Sequence, residues 1–171
     1  IIKWLQKAAF RNLNIGIETF SENVMEDIDK KCTIEDVHRN LALLRKHGLR
    51  SYMNIILTTP KCSLDDVETT VDWTMYYIQD GFFTAGIHSA CVPLKGSNYY
   101  EEFADYLTYV EQIPDTRYYV KRDYMVWAED PYVRELQKAY FFGYHWPQQH
   151  SPSYMGLGYQ SSCWLRGFLL D

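Results

Sequence analysis

The sequence lacks closely spaced cysteines. Its four cysteines are Cys32, Cys62, Cys91 and Cys163, and a long stretch of chain separates each from the next. This spacing excludes a Cys-x2-Cys zinc pair and the Cys-x3-Cys-x2-Cys loop that binds an iron–sulfur cluster. We therefore predict no metal ligands in this chain. We also predict reduced thiols, as in a cytoplasmic protein without a secretion signal.

The sequence also lacks long apolar runs and an excess of basic charge. No segment approaches the roughly 20 apolar residues that cross a bilayer, and residues 1–7 lack the apolar core of a signal peptide. With a net charge of −5, nothing favours binding to nucleic acid or to an acidic membrane surface. The chain begins with Ile1 rather than Met, so we expect a piece of a longer protein.

The composition is that of a globular domain, and three apolar segments predict strands. Hydrophobic residues make up 47% and charged residues 23% of the 171 residues, which is ordinary for one domain or part of one. The predicted strands are 13–17, 52–57 and 83–91, and helical patterns separate them. Strands that alternate with helices favour a parallel sheet with the helices outside. We therefore predict that the three strands are adjacent in chain order.

Helix start signals precede the predicted helices. Thr33 and Ser63 each have acidic residues two and three positions later, an arrangement that caps a helix N-terminus. These signals predict helices over 34–47 and 64–80. Further along, we predict a helix over 99–109 that stops near Pro114, a helix from Pro131 to Phe142, and an irregular loop over 143–163.

A single carboxylate stands at the end of the first predicted strand. The run up to Glu18 is apolar apart from Asn14, and a polar turn with Ser21 follows it. Charged groups at the carboxyl ends of parallel strands lie where α/β proteins bind ligands. An ionised Glu accepts hydrogen bonds from hydroxyl or ammonium groups. Two interpretations stay open: a ligand contact, or a structural carboxylate that caps the next helix or pairs with a lysine.

Three motifs in chain order resemble the radical S-adenosylmethionine (SAM) superfamily, over roughly residues 3–103. The first is Gly16-Ile-Glu-Thr19, continued by Lys30 and Thr33, which resembles Gly-Ile-Glu-Ser and Lys-x-x-Thr of the family's fourth strand–helix unit. The second, residues 55–63, resembles Ile-x-Gly-x-Pro-Gly-Glu-Thr. The third, residues 93–97 followed by Tyr100, resembles Pro-x-Pro-Gly-Thr-x-x-Tyr.

The resemblance implies an α/β fold in two parts. Residues 1–112 would form the C-terminal half of a (β/α)6 barrel, with parallel strands and outer helices. Residues 113–171 would be an aromatic-rich, mainly helical and loop extension. It further implies SAM and a [4Fe-4S] cluster in the complete enzyme, with the cluster ligands outside this chain. The reaction would use a 5′-deoxyadenosyl radical on an unidentified small-molecule or peptide substrate. The motifs are nearest in style to cobalamin-dependent and methylthiotransferase-like members, which leaves cobalamin open as a further cofactor.

The resemblance also implies contacts to SAM. Glu18 stands where the family contacts the ribose or ammonium group, and Ile56 stands beside the adenine position together with the backbone after the third strand. Asn54 is a further candidate, because a buried amide must find hydrogen-bond partners. Two alternatives stay open: Ile56 is only core, and Asn54 faces outward into solvent. The predicted cofactor-binding residues are Glu18, Asn54, Ile56, Cys91, Val92 and Pro93.

Departures from the family pattern favour a second hypothesis. Thr58 and Cys62 replace the Gly and Glu of the second motif, so the loop loses backbone freedom and a carboxylate. A half-barrel also has an unpaired strand edge and an uncovered face, which an N-terminal half or a second chain is expected to complete. The alternative is a non-catalytic α/β interaction module, a degenerate relative without cluster or SAM.

Overall fold

The computed structural model describes residues 1–88, 91, 93, 96–104, 107–111 and 122–140, with only the backbone described at 88, 107–111, 122–126 and 140. The helices are α1 (Ile2–Lys7), α2 (Glu22–Asp27), α3 (Ile34–Lys46), α4 (Leu64–Ile78), α5 (Asn98–Glu102) and α6 (Pro131–Tyr140). The strands are β1 (Asn12–Glu18), β2 (Arg50–Ile56), β3 (Phe83–His88), β4 (Leu107–Glu111) and β5 (Arg122–Val126). Within these ranges, no helix has the length and apolar character to cross a membrane.

Strands β1, β2 and β3 form one parallel sheet in that order, which confirms the predicted pairing. Asn54, near the end of β2, lies opposite Gly16 of β1 and Gly86 of β3. The register between β1 and β2 shifts after Gly16, so that Glu18 lies opposite Ile55. Strand β3 ends at His88, three residues before the predicted end.

Capping boxes start α3 and α4, as the sequence predicts. Thr33 Oγ1 accepts a hydrogen bond from the Asp36 amide, and the Asp36 carboxylate accepts one from the Thr33 amide, both at 3.1 Å. Ser63 and Asp66 form the same reciprocal pair at the start of α4. These caps satisfy amide groups that the first turn of a helix leaves without partners.

The parallel sheet has one apolar face and one polar face, because side chains alternate along each strand. The apolar face packs against α3 and α4, whose Leu41 and Val71 are buried with it. Its buried strand side chains are Ile17, Met53, Ile55, Ala85 and Ile87. The opposite side, which we call the open face, is exposed or half-buried and consists of Asn14, Gly16, Glu18, Tyr52, Asn54, Ile56, Thr84 and Gly86.

The C-terminal part differs from the prediction. Helix α5 stops at Glu102, so the helix predicted over 99–109 is too long, and its last three residues lie in strand β4 instead. Strand β4 pairs antiparallel with β5, which lies within the predicted extension over 113–171, so that extension contains a strand that the prediction of helix and loop did not include. The β-branched and aromatic residues of Leu107–Glu111 explain the difference, since they favour an extended backbone.

Helix α6 confirms the helix predicted from Pro131. It packs against α4, and its Val133 and Leu136 are part of the hydrophobic core. The boundary at residue 112 stays a prediction. The predicted loop over 143–163 lies outside the described residues.

Candidate functional site

The carboxyl ends of β1, β2 and β3 lie at one edge of the sheet, because the three strands are parallel. The strands end at Glu18, Ile56 and His88. The segments that follow the strands bring α2, the loop over 57–63 and α5 to the same edge. We call the loop over 57–63 the β2 loop. Open α/β sheets bind ligands in the crevice outside this edge, so this edge is the candidate site.

Glu18 turns back across the end of its own strand. Its backbone is left-handed, with φ of 72°, which is uncommon for a residue other than glycine. A Cβ atom added to Gly16 would lie 2.1 Å from the Glu18 Oε1. The Glu18 carboxylate therefore occupies the space over Gly16 on the open face, and only glycine leaves room for it there.

Lys30 holds this carboxylate. Its Nζ donates to the Gly16 carbonyl oxygen at 2.9 Å and to the Glu18 Oε1 at 3.3 Å. The Glu18 side chain is nevertheless 24% exposed. The lysine pairing that the sequence left open is thus present, and the carboxylate still reaches the open face.

Asn54 and Ile56 both lie on the open face, half-buried. The Asn54 Nδ2 donates to the Asn14 Oδ1 of the neighbouring strand at 2.6 Å. Asn54 also lies between two glycines, Gly16 and Gly86, in the same cross-strand row. Ile56 is therefore not a fully buried core residue, and Asn54 turns away from the helices toward the open face.

The segment after β3 is tied to the loop after β2. The Cys91 amide donates to the Thr58 carbonyl oxygen at 3.0 Å, and Pro93 is buried. Burial, followed by the negative charges of Asp27 and Glu18, raises the pKa of the Cys91 thiol to about 11. The thiol is therefore neutral near pH 7. The remaining candidate of this segment, Val92, lies outside the described residues.

Asp27, at the end of α2, connects this helix with the loop over 57–63 and with α5, and the sequence did not single it out. It accepts a hydrogen bond from the Tyr99 hydroxyl of α5 at 3.0 Å, and the Lys61 Nζ of the β2 loop lies 3.6 Å away. Lys61 also pairs with Glu102 of α5 at 2.7 Å. Burial and the Asp27 charge raise the pKa of Tyr99, which keeps its hydroxyl protonated as the donor.

A cavity of about 300 Å³ lies between α2 and the β2 loop. Its wall includes Cys62, whose Sγ donates to the Thr59 carbonyl oxygen at 3.1 Å, and burial raises the pKa of this thiol to about 11. Iron–sulfur clusters are held by several thiolates. The described residues contain no group of three or more His, Cys, Asp or Glu side chains that could hold a metal ion, so they do not fit a cluster.

Asp66 joins the turns after β1 and β2. It is 8% exposed and accepts from the Ser21 Oγ at 2.5 Å, the Ser63 Oγ at 2.7 Å and the Asn23 Nδ2 at 3.2 Å. Burial raises the pKa of Asp66, but these hydrogen bonds outweigh burial and the net pKa is lowered. With its oxygens occupied by internal donors, Asp66 is a structural carboxylate.

Comparison with known proteins finds one family model that matches part of the chain. The family model of the Radical SAM superfamily matches residues 1–74, which confirms the resemblance over the first two motifs. No curated protein and no solved structure matches the chain. The third motif lies beyond the matched residues.

Proposed function

We propose, from the match of residues 1–74 to the Radical SAM superfamily, that this chain is the C-terminal half of a radical SAM enzyme. Residues 1–112 would contribute strands that face SAM and the substrate, followed by the extension over 113–171. In the complete enzyme, the residues of this chain would bind and orient SAM, and SAM together with the cluster would supply the radical chemistry. Cobalamin is a further candidate cofactor in this proposal.

The position of the Glu18 carboxylate carries the proposal. It lies at the carboxyl edge of the parallel sheet, on the open face, and it is partly exposed. Its contact to Lys30 uses Oε1, and a carboxylate has acceptor sites on both oxygens. Glu18 therefore has capacity for a further donor such as a ribose hydroxyl or an ammonium group. Asn54 and Ile56 extend the same face toward the centre of the sheet and supply an amide and an apolar surface.

The cluster belongs to another part of the proposed enzyme. Because the described residues do not fit it, its ligands would come from an N-terminal half or from a second chain. In the described sheet, β1 pairs only with β2, and edge strands attract pairing. An apolar groove of about 760 Å³ beside β1, with Leu13, Ile15 and Leu43 in its wall, offers a surface for the part that completes the barrel.

A second candidate function is a non-catalytic interaction module. The β2 loop favours it, because Thr58 and Cys62 replace the family's Gly and Glu and both are buried. The Cys62 thiol bonds to backbone within its own loop. This loop therefore has a structural explanation that needs no cofactor.

The substitution Glu18→Gln tests the proposal, because it keeps the size of the side chain and removes its charge. A charge-assisted hydrogen bond contributes on the order of 1.5–3 kcal/mol, so SAM affinity of the complete protein should fall by roughly ten- to a hundredfold. The melting temperature should change little, since Glu18 is at a strand end. Isothermal titration measures the SAM affinity, and a thermal melt measures the melting temperature.

The matched control is Glu22→Gln, which removes an exposed charge from the first turn of α2. It should leave SAM affinity unchanged. Equal affinities for the wild type and Glu18→Gln, or no SAM binding by the complete protein, would favour the interaction module.

A further inference from the structure

Lys30 occupies an unusual position between backbone and side chain of the same strand. Its ammonium group bridges the Gly16 carbonyl oxygen at 2.9 Å and the Glu18 Oε1 at 3.3 Å. Its own side chain is 32% exposed. A lysine that only formed a surface ion pair would not need the backbone oxygen two residues before its partner.

The backbone after α2 sets where Lys30 stands. The helix is capped at its start by Ser21, and Asp29 beyond its end is left-handed, with φ of 54°. The Lys30 amide then donates to the Met25 carbonyl oxygen at 2.9 Å. The lysine thus starts from an ordered turn, and its side chain returns to the end of β1.

Glu18 needs such a restraint. Its left-handed backbone and the absence of a Cβ at Gly16 allow the carboxylate to lie over the strand. Neither feature alone keeps it there, because a partly exposed Glu side chain has several rotamers. Among the described contacts, Lys30 is the cation that fixes the carboxylate in this position.

We propose that Lys30 is a positioning residue, which holds the Glu18 carboxylate folded over Gly16. The second carboxylate oxygen of Glu18 is then already ordered when SAM binds. This inference rests on the proposed function, since it requires Glu18 to contact SAM. Lys30 itself makes no contact to SAM in this account.

Positioning and charge screening predict effects of opposite sign. SAM carries a sulfonium and an ammonium group. If Lys30 only screened Glu18, its removal would expose the carboxylate charge and strengthen SAM binding. If Lys30 positions Glu18, its removal leaves a side chain that must be ordered on binding. Ordering one flexible side chain weakens affinity about two- to tenfold.

The first test is Lys30→Met in the complete protein, with SAM binding measured by isothermal titration. We expect affinity to fall about two- to tenfold, and Lys30→Arg to restore it to within about twofold, because Arg donates to carbonyl and carboxylate oxygens together. The matched control is Lys31→Met. Lys31 is the next residue, is 81% exposed and pairs with Asp29, so the same loss of charge should leave affinity unchanged.

The second test separates position from charge. In Gly16→Ala, both charges remain, but the new Cβ would lie 2.1 Å from the Glu18 Oε1, so the carboxylate must move. We expect a loss of SAM affinity at least as large as in Lys30→Met. Backbone amide NMR shifts of the complete protein, titrated with SAM, should show a smaller response at Gly16 and Glu18 in both variants, and thermal melts identify any variant that fails to fold.

The outcomes distinguish this inference from the proposed function. If Glu18→Gln weakens SAM binding while Lys30→Met leaves it unchanged or strengthens it, positioning is overturned and the Glu18 contact stands. If Lys30→Met weakens binding and Lys30→Arg restores it, positioning is supported. If Glu18→Gln has no effect, both the Glu18 contact and the positioning role are overturned.

Discussion

Two carboxylates at the same edge of the sheet have opposite surroundings. Asp66 is 8% exposed and accepts hydrogen bonds from Ser21, Asn23 and Ser63. The Glu18 side chain is 24% exposed and, among the residues that the structure describes, has one cationic partner, Lys30. The two groups have the same chemistry, and their neighbours decide what each can do. A carboxylate whose oxygens are occupied by internal donors holds loops together, whereas one with a free oxygen on an open face has capacity for a ligand.

Asp27 lies between these two cases. Its side chain is 12% exposed and has two partners among the described residues, Tyr99 of α5 and Lys61 of the loop over 57–63. Its role by this criterion is structural, but it also lines the cavity of about 300 Å³ beside α2. The comparison therefore predicts a graded response, in which stability depends most on Asp66, less on Asp27 and least on Glu18.

The largest expected effect is on stability, from Asp66→Asn. The amide cannot accept from all of the same donors, so buried hydroxyl groups lose a charged partner, which costs about 2–4 kcal/mol of unfolding free energy. Chemical denaturation measures this. The control is Asp65→Asn, an exposed neighbour in the same helical turn, which should change stability by less than about 0.5 kcal/mol.

Acid should have the same effect as that substitution. Because the folded pKa of Asp66 is lowered below 3.8, its contribution is present above about pH 4 and is lost as the pH falls through the folded value. The unfolding free energy of Asp66→Asn should therefore depend less on pH in this acidic range than that of the wild type. If the unfolding free energies of the wild type and Asp66→Asn fell in parallel with pH, Asp66 would not be the group whose protonation destabilises the fold.

A smaller loss is expected for Asp27→Asn. The Tyr99 hydroxyl keeps an acceptor, but Lys61 loses one of its two carboxylates, so the cost should be about 1 kcal/mol. The amide NMR shifts of α5 should change as well, because Tyr99 anchors that helix to α2. The comparison variant Asp29→Asn removes a 79% exposed charge. It should change neither the unfolding free energy nor the amide shifts of α5. A loss as large as that of Asp66→Asn would overturn the ranking.

The smallest effect concerns the reactivity of two thiols. Both Cys62 and Cys91 have a pKa of about 11, chiefly because of burial. Of the two thiols, only Cys91 has its pKa raised further by the negative charge of Glu18. Glu18→Gln should therefore increase the alkylation rate of Cys91 by less than about tenfold and leave that of Cys62 unchanged. Mass spectrometry of iodoacetamide-treated protein measures the alkylation rate of each cysteine separately. Equal acceleration at both thiols would indicate a general loosening of the fold instead.

The parallel sheet could be predicted because its signals are local. Alternating apolar segments, together with the caps at Thr33 and Ser63, place the strands and the two long helices within a few residues. The strand β4 was missed because Tyr99–Tyr109 contains apolar residues at helical spacing as well. Its tyrosine, threonine and valine pair with a strand that lies beyond Pro114, and this non-local pairing decides the structure.

The site could be predicted only in part for the same reason. Glu18 stands out in the sequence because a charged residue ends an apolar strand. Asp27 does not, since its partners Tyr99 and Lys61 lie dozens of residues away and nothing nearby indicates them. The contact of Lys30 with the Gly16 carbonyl depends on two left-handed residues, Glu18 and Asp29, which are not glycines and so carry no clear signal in the sequence.

The most direct test of the central claim is a crystal structure of the complete protein with SAM. The account predicts SAM at the carboxyl edge of the parallel sheet, with a Glu18 carboxylate oxygen at about 2.6–3.2 Å from a ribose hydroxyl or the ammonium group, and Lys30 still bound to the Gly16 carbonyl. SAM bound elsewhere, or at this edge with Glu18 contacting Lys30 alone, would contradict it.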